Sequence, residues 1–235
     1  IAIVAGPNQP TVTRLEGPDR YGTNEAVNAR FGEPGGPLFV ATGADFADAL
    51  SIGPVVRLLG GTLFLTPRNS VDPAALNEMK LLSPSHLYIV GGEAAVSADV
   101  TAKVSAATGL SAARIWGADR YGTSEEIYRR FFGEQQRAVE TAFVATGRDF
   151  PDALSAASAG AALGAPVLLV DGKTSQSLSR YLTRSLQAKM TAKVLIAGGP
   201  GAVNNALAAN LQKIFSTERL SGANRYTTNA EVNAY

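Results

Sequence analysis

The chain has no cysteine, one histidine, and 21 basic residues set against 20 acidic ones over 235 positions. Without cysteine, disulfides, thiolate nucleophiles and thiolate metal sites are excluded. A net charge of +1 lacks the basic excess of a general nucleic-acid binder. No apolar run approaches the ~18–20 residues of a membrane helix. No G-x-G-x-x-G follows an apolar run and no G-x-x-x-x-G-K-[ST] occurs, so the usual dinucleotide and P-loop fingerprints are missing. The chain begins at Ile1 rather than Met, which suggests a fragment or a processed product whose leader is not visible.

What is present is repetition. Arg14-Leu15-Glu16-Gly17-Pro18-Asp19-Arg20-Tyr21-Gly22-Thr23 returns as Arg114 to Thr123, and again, altered, as Arg219 to Thr228. Phe39 to Ser51 returns as Phe143 to Ser155, differing only where Ala44 becomes Arg148 and Ala47 becomes Pro151. A period near 100 residues is longer than the ~20–50 of a solenoid repeat and is the size of a small domain. The repeats divide the chain into 1–13, a strand resembling the end of a preceding module; 14–113, a first full module; 114–218, a second; and 219–235, the start of a truncated third. No Gly/Ser-rich or Pro-rich linker separates them, so the modules are expected to pack together.

Each module alternates short apolar runs with helical spacing. In the first, strands are expected near 38–42, 62–66 and 86–91, and helices near 48–59, 73–82 and 98–107. The second follows the same order, with strands at 141–147, 166–170 and 193–199 and helices at 124–132, 152–163, 178–186 and 204–215. Strands apolar throughout, alternating with helices, call for a short parallel sheet covered on both faces, an open α/β sandwich of the Rossmann-like class. The pattern Thr123-x-x-Glu126 reads as a capping box that starts the helix after the Arg-Tyr-Gly-Thr turn. Asp149 reads as the cap of the helix through Leu163. Three strands make a small sheet, which needs its sister module for stability.

Catalytic groups are scarce. His86 has no counterpart in the second module, so a repeated activity does not rest on it, and it reads as an ordinary surface or strand-edge residue. Asp45/Asp48 and Asp149/Asp152 do repeat. They are read as caps for exposed helix amides, with an acid/base or cation-binding pair as the alternative. Glycines follow the strands at Gly43, Gly91, Gly92, Gly147, Gly198 and Gly199. They either make tight turns or bring backbone amides to an anion at the carboxyl ends of the sheet. Arg20, Arg120 and Arg225 recur beside a Tyr, as pins of the inter-module turn or as an anion clamp, and several weak sites in register would suit a repeating polyanion. Trp116, the lone tryptophan, reads as buried packing or as a sugar-stacking platform. No catalytic residue, metal site or cofactor is assigned.

The phrases R-[LI]-x-G-x-[DN]-R-Y-x-T at Arg14, Arg114 and Arg219, A-T-G-x-[DN]-F-[PA]-D-A-L-S at Ala41 and Ala145, and the Gly-Gly strand ends at Val90 and Ala197 resemble the cell wall-binding repeat 2 family of Gram-positive bacteria. The resemblance implies three small α/β modules packed about a pseudo-threefold axis. It further implies an extracellular, wall-associated role: fastening a secreted protein to an anionic secondary wall polymer such as a teichoic-acid-like glycan. In that family a P-[IV]-L-L phrase is associated with anchoring, which points to Pro166, Val167, Leu168 and Leu169; Gly61-Thr62-Leu63-Phe64-Leu65 departs from it in the first module. Polymer contacts are thus expected from Arg20, Arg120, the strand-end glycines and Pro166–Leu169. The expected partner is an anionic wall glycan, with no nucleic acid, no membrane span, and a third repeat or a second copy completing the assembly. The alternatives are a part of a wall hydrolase and a self-assembling surface-layer module.

Overall fold

The computed structural model describes residues 12–135, 137–175 and 178–235. The expected strand at the N-terminal end of the chain lies almost wholly outside them. The described residues form two parallel four-stranded sheets, one per module, each flanked by helices.

In the first module α1 (Arg20–Phe31) leads to β1 (Leu38–Thr42), α2 (Ala47–Leu58), β2 (Thr62–Thr66), α3 (Pro73–Leu81), β3 (Leu87–Val90), α4 (Ala98–Thr108) and β4 (Ala112–Ile115), with sheet order β2-β1-β3-β4. The second module repeats this with α5 (Arg120–Tyr128), a π-helical turn (Arg129–Gly133), β5 (Thr141–Thr146), α6 (Pro151–Leu163), β6 (Val167–Val170), α7 (Arg180–Ala188), β7 (Lys193–Ala197), α8 (Asn205–Gln212) and β8 (Thr217–Leu220). Its order, β6-β5-β7-β8, is the same, and α9 (Arg225–Ala234) follows. Alternation along the central strands feeds two cores. Leu38 and Val40 pack on α3 and α4 through Met79, Val100 and Val104, while Phe39 and Ala41 face the α2 side with Ile52 and Val55. Every residue of β1 is buried, which is why the strand reads as an unbroken apolar run.

A fourth strand in each sheet departs from the sequence reading. β4 (Ala-Ala-Arg-Ile) and β8 (Thr-Glu-Arg-Leu) lie at the sheet edge and expose much of their surface, so they carry no apolar run to announce them. The repeated phrase therefore straddles the modules: Arg114-Ile115 finishes the first sheet, and the helix that follows belongs to the second.

That helix also starts earlier than expected. Asp119, not Thr123, caps α5 by accepting from the Gly122 N–H, and Asp19 and Asn224 do the same for α1 and α9. Thr23, Thr123 and Thr228 instead accept from the N–H groups of Gly17, Gly117 and Gly222 at 3.0–3.1 Å, closing the turn. Gly117 and Gly122 pack backbone to backbone with no room for a Cβ on Gly117. Asp or Asn at this position reaches the first-turn N–H groups directly, and the threonine hydroxyl is already committed to the glycine N–H of the turn.

The two modules share one core. α2 packs along α6, with Gly53 opposite Ala157 and Pro54 against Gly160, so small residues let the helices approach closely. Phe39, Val90 and Ile115 of the first module are continuous with Ile127, Phe131, Leu168 and Leu211 of the second. Phe131 meets both Phe39 and Tyr88 edge-on, at centroid distances of 6.1 and 5.5 Å. These contacts give physical content to the expectation that neither sheet stands alone.

Candidate binding clefts at the module junctions

In both sheets the chain passes outward from β1 to β2, or β5 to β6, and then returns to the other side of the central strand. The crevice above the carboxyl ends, between β1 and β3 and between β5 and β7, is the switch point where open α/β sheets bind ligands. The glycine-rich strand ends converge there. Gly91 and Gly198 adopt φ of +103° and +110°, a region that L side chains rarely enter, and Asp48 and Asp152 occupy the space a Cβ would need.

Most of these glycines are structural. The N–H groups of Gly43, Gly91, Gly147 and Gly198 donate to the carbonyls of Thr66, Ile115, Val170 and Leu220, extending the sheets by one residue. Their own carbonyls accept from Arg20 (2.6 Å), Arg114 (2.8 Å), Arg120 (2.6 Å) and Arg219 (2.7 Å) respectively. The expectation that these four amides face an anion is corrected: each is already committed to the sheet. Gly92 and Gly199 lie one residue further on and line the clefts.

Arg120 spans the junction. Its Nη1 donates to Gly147 of its own module, its Nη2 pairs with Asp45 of the preceding module at 2.8 Å, and its guanidinium lies 5.4 Å from the Phe46 ring centre. This is the pin of the inter-module turn, made with Asp45 rather than with the neighbouring Asp119. Arg225 repeats the stacking on Phe150 at 5.9 Å, and is exposed without an ion pair among the described residues. Arg20 is likewise exposed beyond its bond to Gly43.

Two equivalent clefts result. The first, about 470 Å³, lies between the modules and is lined by Asp45, Asp48, Gly92, Glu93, Trp116, Asp119 and Arg120. The second, about 440 Å³, lies between the second module and α9 and is lined by Arg148, Asp149, Asp152, Lys173, Gly199 and Arg225. The frames match and the charges do not. The first holds four carboxylates against one arginine; the second holds two against three cations. Arg148 is further held by Asp171 at 2.5 and 2.9 Å, and Lys173 by the Gly201 carbonyl at 2.6 Å.

The paired carboxylates are only partly the caps expected. Asp45 accepts from the Ala47 N–H and Asp149 from the Phe150 N–H, but Phe46 and Phe150 stand at the N-cap positions without side-chain bonds. Asp48 and Asp152 sit inside the first turns, and their carboxylates make no hydrogen bond among the described residues. Burial, reinforced by Asp45 and opposed by Arg120, pushes Asp48 up to about 6; burial and then Asp149 raise Asp152, opposed by Arg225. No group of three or more His, Cys, Asp or Glu among the described residues is placed to hold a metal ion.

Pro166, Val167, Leu168 and Leu169 are all buried. Leu168 faces the core shared by both modules, and Val167 and Leu169 face α6. Their side chains shape the fold, and of the four Leu169 also borders a pocket beside Asp119, Tyr121 and Glu125. Trp116 goes the other way: of its two readings, burial does not hold, because the side chain is 57% exposed and lines the first cleft. The signal was its place immediately after the edge strand β4, which was not legible as a strand. His86 is exposed and stacks on Tyr88, as expected of a surface residue.

Tandem α/β modules with repeated clefts at their joints define a class of modular binding architecture, and comparison places it. The chain matches the profile of the Cell wall binding domain 2 (CWB2) family over residues 14–101 and 114–208, and belongs to that family. It is 28% identical over 230 residues to the amidase enhancer of Bacillus subtilis, covering 97% of this chain and 30% of that protein. It is 32% identical over 123 residues to the N-acetylmuramoyl-L-alanine amidase LytC of the same organism, covering 52% of this chain and 23% of that one. The chain thus spans less than a third of either relative. Among solved structures, Cwp8 from Clostridium difficile superposes with a TM-score of 0.80 at 28% identity, over 93% of this chain and 36% of that one. Cwp6 from the same organism superposes at 0.81 with 22% identity, over 94% and 35%, and supports the fold alone. The family carries cell-wall association with it, and no described helix is long and apolar enough to cross a membrane.

Proposed function

We propose that this chain holds a secreted protein against the Gram-positive wall by binding an anionic secondary polymer, without catalysis. Membership of the wall-binding family supports the location. The observation that carries the chemistry is the second cleft, where Arg148, Lys173 and Arg225 surround backbone at Gly199 and Gly201. Guanidinium and ammonium groups at a cleft rim suit phosphate or carboxylate groups along a polymer. Arg225 is the strongest candidate contact because it has no ion pair among the described residues. Arg20 is a second, at the opposite end of the described chain. Arg120 serves by holding the junction, and Pro166–Leu169 by holding β6. The second cleft and Arg20 lie at separate places on the same chain, so one polymer strand meets more than one weak site, and avidity multiplies them.

The test is co-sedimentation with purified Gram-positive walls, before and after removal of anionic secondary polymers, across a salt series. Binding is expected to vanish on stripping and to fall as salt screens the exposed charges. Replacing Lys173 and Arg225 by Ala is expected to weaken binding by roughly tenfold, the scale of one or two exposed charged contacts. Undiminished binding to stripped walls would overturn the polymer assignment, and release of soluble wall fragments by the purified chain would overturn the absence of catalysis.

A further inference from the structure

We propose that the first junction cleft is a subsite for a sugar residue carrying a free, protonated amino group. The inference goes beyond the polyanion reading and does not rest on it, because it concerns the cleft whose charge is of the opposite sign.

Three observations converge on it. Trp116 projects from the end of β4 and is more than half exposed, with its ring 3.7 Å from where a Cβ on Gly92 would stand. A large aromatic face held open on a rigid strand end is a surface on which the C–H face of a pyranose stacks. The corresponding residues of the other repeats are Glu16 and Ser221, so the platform belongs to this junction. Next, the carboxylates are not all spent. Asp45 is paired with Arg120, and Asp119 caps α5. Asp48 and Glu93 line the same cleft with no side-chain hydrogen bond or ion pair among the described residues. Third, the matching cleft of the next junction has lost the aromatic and gained Arg148 and Lys173, so the shared frame does not by itself impose an acidic aromatic cleft.

An amino sugar meets all three features. Its ring stacks on Trp116, its ammonium reaches Asp48 or Glu93 and lies within range of the indole face, and its hydroxyls meet backbone around Gly92. An N-acetylated sugar keeps the stacking and loses the ion pair. A uronate or phosphorylated sugar meets like charge.

Trp116 is the only tryptophan in the chain, so its fluorescence reports this cleft directly. The whole chain is titrated at pH 7 with fully de-N-acetylated chitotetraose, with its N-acetylated counterpart, and with a tetragalacturonate. A saturable change in Trp116 emission is expected with the free-amine tetrasaccharide. The acetylated form is expected to bind about tenfold more weakly, the cost of one charged contact, and the uronate not at all. Asp48→Asn combined with Glu93→Gln is expected to erase the preference for the free amine. Calorimetry on Trp116→Ser, which copies the residue at the second junction, is expected to show loss of binding with the fold intact by circular dichroism. Equal binding of the free and acetylated forms, a preference that survives the double substitution, or no saturable change up to about 10 mM, tenfold weaker than millimolar binding, would each overturn the proposal.

Discussion

Asp48 shows how a single carboxylate is tuned by its neighbours. Its backbone lies in the first turn of α2 and its carboxyl fills the space beside Gly91 that no side chain could share. Desolvation dominates, Asp45 adds repulsion, Arg120 takes back part of it, and the group ends near 6 against an ordinary 3.8. A carboxyl whose folded value is raised contributes stability that is fully present below about 3.8 and is lost as pH rises through about 6, because ionisation is harder in the folded state. A shift of that size corresponds to at most about 3 kcal/mol. Asp48→Asn is therefore expected to be more stable than the parent at pH 7.5 by about 1–3 kcal/mol, with the difference closing toward pH 4. Urea unfolding of both proteins at the two pH values checks this. A variant less stable at pH 7.5 would mean that the ionised Asp48 is held by a favourable contact, such as the N-terminus of α2.

At the scale of the element, the helix after each Arg-Tyr-Gly-Thr phrase solves the problem of an open sheet edge. β2 and β6 are edge strands. In the first module Asn24 accepts from the Leu65 N–H at 2.9 Å and donates to the Leu63 carbonyl at 3.0 Å; in the second, Ser124 accepts from the Leu169 N–H at 2.9 Å and donates to the Val167 carbonyl at 3.2 Å. One polar side chain thus copies the pairing a further strand would make, and the helix covers the edge. Ser124 is 1% exposed, so Ser124→Ala leaves a buried N–H and a carbonyl without partners. A loss of about 1–3 kcal/mol is expected in denaturant unfolding, with Ser124→Asn, the first module's residue, restoring part of it. An unchanged midpoint in Ser124→Ala would show that the edge is held by packing of α5 alone. Apolar runs and glycines sufficed to place six strands, β1–β3 and β5–β7, and most helices from sequence to within a few residues. The edge covers escaped, because one Asn and one Ser in a helix carry no periodic signal, and so did β4 and β8, whose short mixed strands do not look buried.

Over the whole molecule, repetition was visible in the sequence and the way the repeats interlock was not. The repeated phrase announced domain-sized units, yet its residues are divided between two of them, with Arg114 and Ile115 in one sheet and Arg120 clasping Asp45 and Gly147 across the joint. Arg120 and the glycines were legible as candidate site residues because they recur, but recurrence alone does not separate a ligand contact from a structural clasp; only the hydrogen-bond partners do. The consequence is cooperative. The largest core runs from Phe39 and Ile115 through Phe131 to Leu168 and Leu211, and Ala47 of the first module sits in the core around Phe143 and Ala153 of the second. Neither module can unfold without exposing apolar surface of the other, at roughly 25 cal/mol per Å². Urea unfolding is therefore expected to be a single transition, with Trp116 fluorescence at the junction and far-ultraviolet circular dichroism giving the same midpoint. Arg120→Ala, which removes the Asp45 pair and the bond to Gly147, is expected to cost about 1–3 kcal/mol of unfolding free energy and so to lower that common midpoint rather than split it. Two separate transitions in the parent would show that the sheets are stable apart, and the shared core would then be a docking surface between independent domains instead of the centre of one folding unit.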